Sequence, residues 1–293
     1  MSVAAYAAVA RAPFLLLPIT LVAVGTGAAA HLGMHDWVHA GLALLGMLGL
    51  HVAVNALNEA SDYRSGIDLN TERTPFSGGS GTLPAGLLTH RKAVLTGLVG
   101  GAIGVVVGIY FLTVVGSTVL PILAIGALTV FGYSGFLARG YVGELFAGLG
   151  LGALPVVGTT LVQTGGYESL AIAASFPAFF MTFNLLLLNE FPDEKADLAG
   201  GRRNLVRLLG RARAARLYVL AGLLVPASLI AGVALGFLPR LSLLAIAPSL
   251  LLIGPLRWAL GQPREPVPVP ALGSNVIWNL STNTVLAITL ALA

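Results

Sequence analysis

Asn58-Glu59-Ala60-Ser61-Asp62 and Asn189-Glu190-Phe191-Pro192-Asp193 decide how this chain is read. Both have the form N-E-x-x-D, they lie 131 residues apart, and each ends a long apolar stretch. The chain has five aspartates, and four stand in or just after these segments: Asp62, Asp68, Asp193 and Asp197. Residues 59–73 and 190–203 hold thirteen charged residues, in a chain with only 16 Lys+Arg and 12 Asp+Glu. Nearly half of the charge is gathered at two related places, and the apolar stretches are almost free of it.

That scarcity sets the class. Charged residues are 10% of the 293 and hydrophobic residues 56%, with a mean hydropathy of +0.89. A soluble domain carries roughly 25% charged residues. An ordinary soluble enzyme and a disordered chain are excluded. A net charge of +4 argues against a soluble nucleic-acid binder despite the pI of 9.7. The absence of Cys removes disulfides, thiolate metal sites and a cysteine nucleophile. What remains is an all-α polytopic membrane protein.

A crossing helix needs about 20 apolar residues. Nine stretches qualify: roughly 14–33, 36–58, 92–114, 117–134, 141–164, 168–190, 214–236, 240–258 and 272–292. The break between the third and fourth is marked only by Gly116 and Ser117. With the N-terminus inside, 15 of the 16 basic residues fall on inner loops and only Arg240 falls outside. The first span also has the look of a signal peptide, but eight further spans need none. Pro263–Pro270 reads as a stiff loop.

Four spans separate the two motifs, so both sit at one face, with the same helix direction. We expect one domain, residues 1–293, whose helices 1–4 and 5–9 are parallel halves around a central cavity. An ion-coupled transporter, the distant alternative, often has inverted repeats with midplane sites instead. Asn58 and Asp62 at i and i+4 share a helix face, as do Asp193 and Asp197 if the helix continues past Pro192. Carboxylate and amide oxygens are hard ligands suited to Mg²⁺, which completes its shell with water and phosphate oxygens. Two such clusters suit a metal-bridged diphosphate.

Other residues admit two readings. Arg64, Arg73, Lys195, Arg202 and Arg203 flank the clusters and suit phosphate, or are simply inner-loop cations. Arg139 is an anion contact or an orientation anchor. Thr74–Gly81 is a Gly-rich loop without a P-loop ending: a backbone cradle or a flexible lid. Arg207, Arg211, Arg213 and Arg216 read as a helix on lipid headgroups. Gly100, Gly104 and Gly108 form a stripe for close helix contact. Trp37, Trp258 and Trp278 lie near expected membrane interfaces. His31, His35 and His39 span an expected turn and read as interfacial polar residues. His51 reads as a packing residue.

The paired motifs resemble the UbiA superfamily of intramembrane prenyltransferases. The second motif, Asp193-Glu194-Lys195-Ala196-Asp197 followed by Gly201-Arg202-Arg203-Asn204, fits the family's D-x-x-x-D. The turn Tyr133-Ser134 through Arg139-Gly140-Tyr141-Val142-Gly143-Glu144 is similar to the family's segment after the fourth helix. The first motif departs from the usual form: Glu59 replaces an Asp, and Asp62 to Asp68 is a longer spacing. The run Asp62-Tyr63-Arg64-Ser65-Gly66-Ile67-Asp68 is similar to the branch that prenylates 1,4-dihydroxy-2-naphthoate in menaquinone synthesis.

The resemblance implies Mg²⁺-dependent prenyl transfer to an aromatic acceptor from an isoprenyl diphosphate, in the cytoplasmic membrane of a prokaryote, with the site on the cytosolic side. It implies catalytic Asp62, Asp68, Asp193 and Asp197, with Asn58 joining them as a metal ligand. It implies Arg73, Tyr133, Arg139, Lys195 and Arg202 around the diphosphate, and Arg11 at the acceptor's carboxylate. The alternative is the same fold with another acceptor (4-hydroxybenzoate, a porphyrin, a lipid glycerol) or a terpene cyclase.

Overall fold

The computed structural model describes residues 2–133 and 135–293, and among them there is no β-strand. The helices, in chain order, are α1 (Val3–Val9), α2 (Leu16–His31), α3 (Trp37–Ser65), α4 (Ile67–Asn70), α5 (His90–Val115), α6 (Leu120–Gly132), α7 (Gly143–Gly148), α8 (Leu154–Thr164), α9 (Ser169–Ala199), α10 (Leu205–Leu209), α11 (Arg211–Ala234), α12 (Ile253–Gly261) and α13 (Val269–Leu292). A π-helical turn over 149–153 joins α7 to α8, and a tight 3-10 run over 240–252 leads into α12. The chain is an integral membrane protein.

Among the described residues, eight stretches are long and apolar enough to cross a membrane, against the nine expected. The difference falls on 90–132. At 43 residues this stretch is about twice as long as one crossing needs. Gly116, at φ +81, breaks it into α5 and α6. Gly108 abuts Leu123 and Gly101 abuts Phe131, so α6 runs back along α5. At 13 residues α6 is roughly 20 Å long, short of the roughly 30 Å apolar core on its own.

The two motif-bearing helices are the longest. Asp36 caps α3, accepting from the N–H groups of Val38 and His39 at 2.8 and 3.1 Å. At 29 residues α3 is about 44 Å long, so its last turns, with Asn58 and Asp62, extend beyond an apolar slab. It ends at Gly66, whose φ of +83 suits glycine. The 31 residues of α9 pass through Pro177 and Pro192 without a break, keeping Asp193 and Asp197 one turn apart on one face.

Close packing holds α3 to α5. A Cβ on Gly100 would meet the carbonyl oxygen of Gly49 at 2.5 Å, and one on Gly104 would meet Leu50 at 2.4 Å. The glycine stripe acts as expected. Two tryptophans pack inside the protein: Trp278 is fully buried among Met181, Val225 and Leu252, and Trp258 is buried with its indole N–H on the Glu265 carbonyl at 3.2 Å. Only Trp37 is exposed. His31 ends α2 and His39 lies in the first turn of α3, so the outer histidines share no helix.

Candidate active site

The C-terminal ends of α3 and α9 meet, and one guanidinium joins them. Arg202 Nη2 lies 3.0 Å from Asp62 Oδ2 and also donates to Asn58 Oδ1, while Nη1 lies 3.8 Å from Asp197 Oδ1. Asn58 Nδ2 donates to Asp62 Oδ2 at 2.9 Å, so the i, i+4 pair acts as one unit. Asn204 Nδ2 donates to the other oxygen of Asp197 at 2.9 Å. Burial alone would lower the Arg202 pKa. The negative groups around it, Asp62 foremost, reverse this and raise it, so the guanidinium stays charged.

Gly66 turns the chain into α4, which delivers Asp68 to the same place. The Gly-rich loop then folds over both motifs. A Cβ on Gly79 would meet Asp68 Oδ1 at 2.7 Å, and its φ of +72 independently calls for glycine. Arg73 Nη2 donates to the Asp68 carbonyl at 2.6 Å. The Ser80 N–H donates to Glu59 Oε2 at 3.2 Å, and its hydroxyl donates to Oε1. The Gly78 N–H reaches Asp193. The loop is thus tethered at both ends of the site, and its donors point at carboxylates.

Burial pushes Asp68 up to about 7 from an ordinary 3.8. Asp62 and Glu59 add to the rise, and Arg11 and Arg73 oppose it. Arg11, held at φ 52, lies within electrostatic reach of Glu59, Asp62, Asp68 and Asp193. Its expected role at an acceptor carboxylate therefore has a competitor in these acids.

Buried Tyr133 lies within electrostatic reach of Arg202 and Asp62. Ser134, beside it, lies outside the described residues. Two expected diphosphate contacts are not brought to the cluster. Lys195 is exposed, two residues from both Asp193 and Asp197, and so points to the opposite side of α9. Arg139 is exposed at the end of its short turn, and only the neighbouring Ala138 carbonyl reaches the second motif, accepting from the Arg203 N–H at 3.0 Å. Arg211 is no headgroup anchor: it donates to Glu194 at 3.0 Å and to the carbonyls of Phe191, Pro263 and Glu265. Arg207 donates to the Arg202 carbonyl. Arg213 and Arg216 stay exposed.

Sequence reasoning missed Glu144, Asn204 and Ser80. Glu144 is fully buried, and Oε1 accepts the Leu205 N–H at 2.5 Å. Its only signal was its place in the quoted turn. Among the described residues, no three acidic or histidine side chains are grouped tightly enough to hold a metal. Yet Asp68 Oδ2, Asp193 Oδ1 and Asp197 Oδ1 are buried with no hydrogen-bond partner. Buried carboxylate oxygens without donors call for a cation, and the hard oxygen set suits Mg²⁺.

The UbiA prenyltransferase family model matches residues 16–279. A curated relative, 1,4-dihydroxy-2-naphthoate octaprenyltransferase of Bacillus subtilis (strain 168), is 26% identical over 170 residues, 57% of this chain and 53% of that protein. The chain thus spans about half the length of the curated relative it matches. A UbiA homolog from Archaeoglobus fulgidus bound to GPP and Mg²⁺ superposes with a TM-score of 0.67, at 15% identity, over 99% of this chain and 100% of that one. A digeranylgeranylglyceryl phosphate synthase does so at 0.66, with 14% identity, over 99% and 98%. At such identities the likeness shows the fold alone.

Proposed function

The chain belongs to the UbiA prenyltransferase family, and from that premise we propose that it transfers an isoprenyl group from a prenyl diphosphate to 1,4-dihydroxy-2-naphthoate, with Mg²⁺, in menaquinone synthesis. The observation that carries the reading is the meeting of the buried Asp62 and Asp197 on one half-buried guanidinium. The acceptor rests on the Bacillus subtilis relative and on the spacing of Asp62 and Asp68. The metal rests on the unpartnered carboxylate oxygens and on the metal-bound Archaeoglobus fulgidus homolog. We read residues 1–293 as one domain of parallel halves, in a prokaryotic cytoplasmic membrane with the site facing the cytosol. The adjacent ends of α3 and α9 support this.

Asn58, Asp62, Asp68, Asp193 and Asp197 would hold Mg²⁺. Bound there, Mg²⁺ would neutralise the charge that builds on a leaving diphosphate. Arg202 and Arg73 add cationic donors for the diphosphate oxygens, and Tyr133 adds a phenolic donor. The bond between the allylic carbon and oxygen breaks, and its electron pair leaves with the diphosphate. The ring carbon that bears the carboxylate supplies the pair for the new carbon–carbon bond, and the carboxylate departs as carbon dioxide, its bonding pair restoring the aromatic ring. An almost wholly apolar cavity of about 260 Å³, lined by α3, α5, α6 and α8 and including Met47, Leu50, Phe111 and Val130, suits the isoprenyl chain.

The deciding assay uses purified protein, Mg²⁺, allylic diphosphates of several lengths and a panel of acceptors, with products identified by mass spectrometry. Prenylated naphthoate is expected, and EDTA abolishes it. Transfer that survives EDTA sinks the metal. Transfer to 4-hydroxybenzoate, a porphyrin or a glycerol lipid in place of naphthoate, or cyclisation without an acceptor, sinks the acceptor.

The raised Asp68 pKa adds a pH signature. Between roughly 4 and 7 the folded protein keeps a proton that the unfolded chain has released. The cation-free protein therefore loses stability as pH rises through that window. A cation must displace this proton, so Mg²⁺ affinity weakens by up to about tenfold per unit as pH falls below 7. Titration calorimetry between pH 6 and 8 checks this. An affinity flat with pH would show that Asp68 gives up no proton to the metal.

A further inference from the structure

We propose that Glu144 is a positioning residue for the second aspartate motif: through the backbone of Leu205 it sets Arg202 and Asn204 against Asp197. Glu144 lies in the first turn of α7, fully buried, with Oε1 2.5 Å from the Leu205 nitrogen. Leu205 opens α10, so its N–H is one of those a helix start leaves without an internal partner. Its neighbour Asn204 caps the same helix, accepting from the Arg207 N–H at 3.0 Å while donating to Asp197 at 2.9 Å. One residue earlier, the Arg203 N–H donates to the Ala138 carbonyl at 3.0 Å. Residues 138–144 thus grip residues 202–205 at two points.

The grip is needed because the held segment is irregular. Gly200 and Gly201 precede it, Gly201 at φ +77, and no regular backbone ladder fixes residues 202–204. Buried away from water, the bond from the Leu205 N–H to Glu144 is stronger than the same bond at a surface, and the same carboxyl also bonds to that of Glu190. Releasing the Leu205 bond lets Arg202 and Asn204 drift from Asp197, so the loss falls on the diphosphate side of the reaction. The acceptor side is untouched.

This role rests on the prenyl-transfer reading, and the test separates the two. Glu144→Ala removes the acceptor. Glu144→Gln keeps an oxygen that can take the Leu205 N–H. Leu205→Pro deletes the N–H at a helix position that tolerates proline, and Leu205→Ala, which keeps the N–H, controls for the packed side chain lost with it. In the full-length protein, the expected result is about a tenfold or larger rise in prenyl-diphosphate KM for Glu144→Ala and Leu205→Pro, with acceptor KM unchanged. Glu144→Gln stays within about threefold of the parent. Hydrogen exchange is expected to show residues 202–208 losing protection in Glu144→Ala and keeping it in Glu144→Gln. The proposal is overturned if Glu144→Gln is as impaired as Glu144→Ala, if both KM values rise together, or if exchange over 202–208 does not change. If the parent protein transfers no prenyl group, the functional reading fails, and exchange alone still decides the grip.

Discussion

Asp62→Ala and Asp193→Ala each lower prenyl transfer by about 10²–10³-fold, while helix content stays as in the parent. The two variants fail for the same chemical reason and differ in what they do to the fold. Asp193 Oδ1 is buried without a hydrogen-bond partner, and the Gly78 N–H reaches the same side chain. Removing this carboxylate takes away a ligand and relieves an unpaired group, so melting of the metal-free protein is unchanged or slightly raised. Asp62 is the partner of both Asn58 and Arg202. Removing it leaves a half-buried guanidinium with less negative charge around it, so the metal-free protein melts earlier. Activity and thermal melting measured on both variants separate these effects. Full activity in either variant removes the paired-carboxylate mechanism.

The motifs were legible because they break the dominant pattern of the chain. Four of five aspartates at two helix ends stand out against spans that are almost free of charge. The same scarcity made the spans easy to place, though not their limits. α3 runs to Ser65 and α9 to Ala199, well beyond the apolar stretches at 36–58 and 168–190, because a helix needs only backbone hydrogen bonds to continue into polar sequence. The reach of Arg202 across to Asp62 was not legible, since 140 residues separate them and only the packed fold sets the distance. Lys195 sits within the second motif, yet helix geometry turns it outward. Glu144 carries no pattern of its own; its partner is a backbone N–H 61 residues away, which any residue but proline could have supplied.

Arg202→Ala is expected to destabilise the metal-free protein by about 3–5 kcal/mol, the range for a buried ion pair that loses one member. Asp62 and Asp197 would then face each other with no cation between them, and Asn58 and Asn204 cannot replace the charge. Arg202 thus acts as a resident counter-ion that lets two carboxylate clusters share one buried place before any metal arrives. Three consequences follow from that role. Mg²⁺ raises the melting temperature of Arg202→Ala more than that of the parent, because it replaces the missing positive charge. Arg202→Lys recovers only part of the loss, since the single nitrogen of an ammonium cannot reach toward both Asp62 and Asp197 as the two terminal nitrogens of the planar guanidinium do. The double variant Arg202→Ala/Asp62→Asn is more stable than Arg202→Ala alone, because the uncompensated carboxylate has gone, and the non-additivity measures the coupling directly. Thermal melting of the parent, Arg202→Ala, Arg202→Lys, Asp62→Asn and the double variant, with and without Mg²⁺, makes the comparison. If Arg202→Ala melts with the parent, or if Asp62→Asn adds its own loss in full, the guanidinium is not what holds the two motifs together.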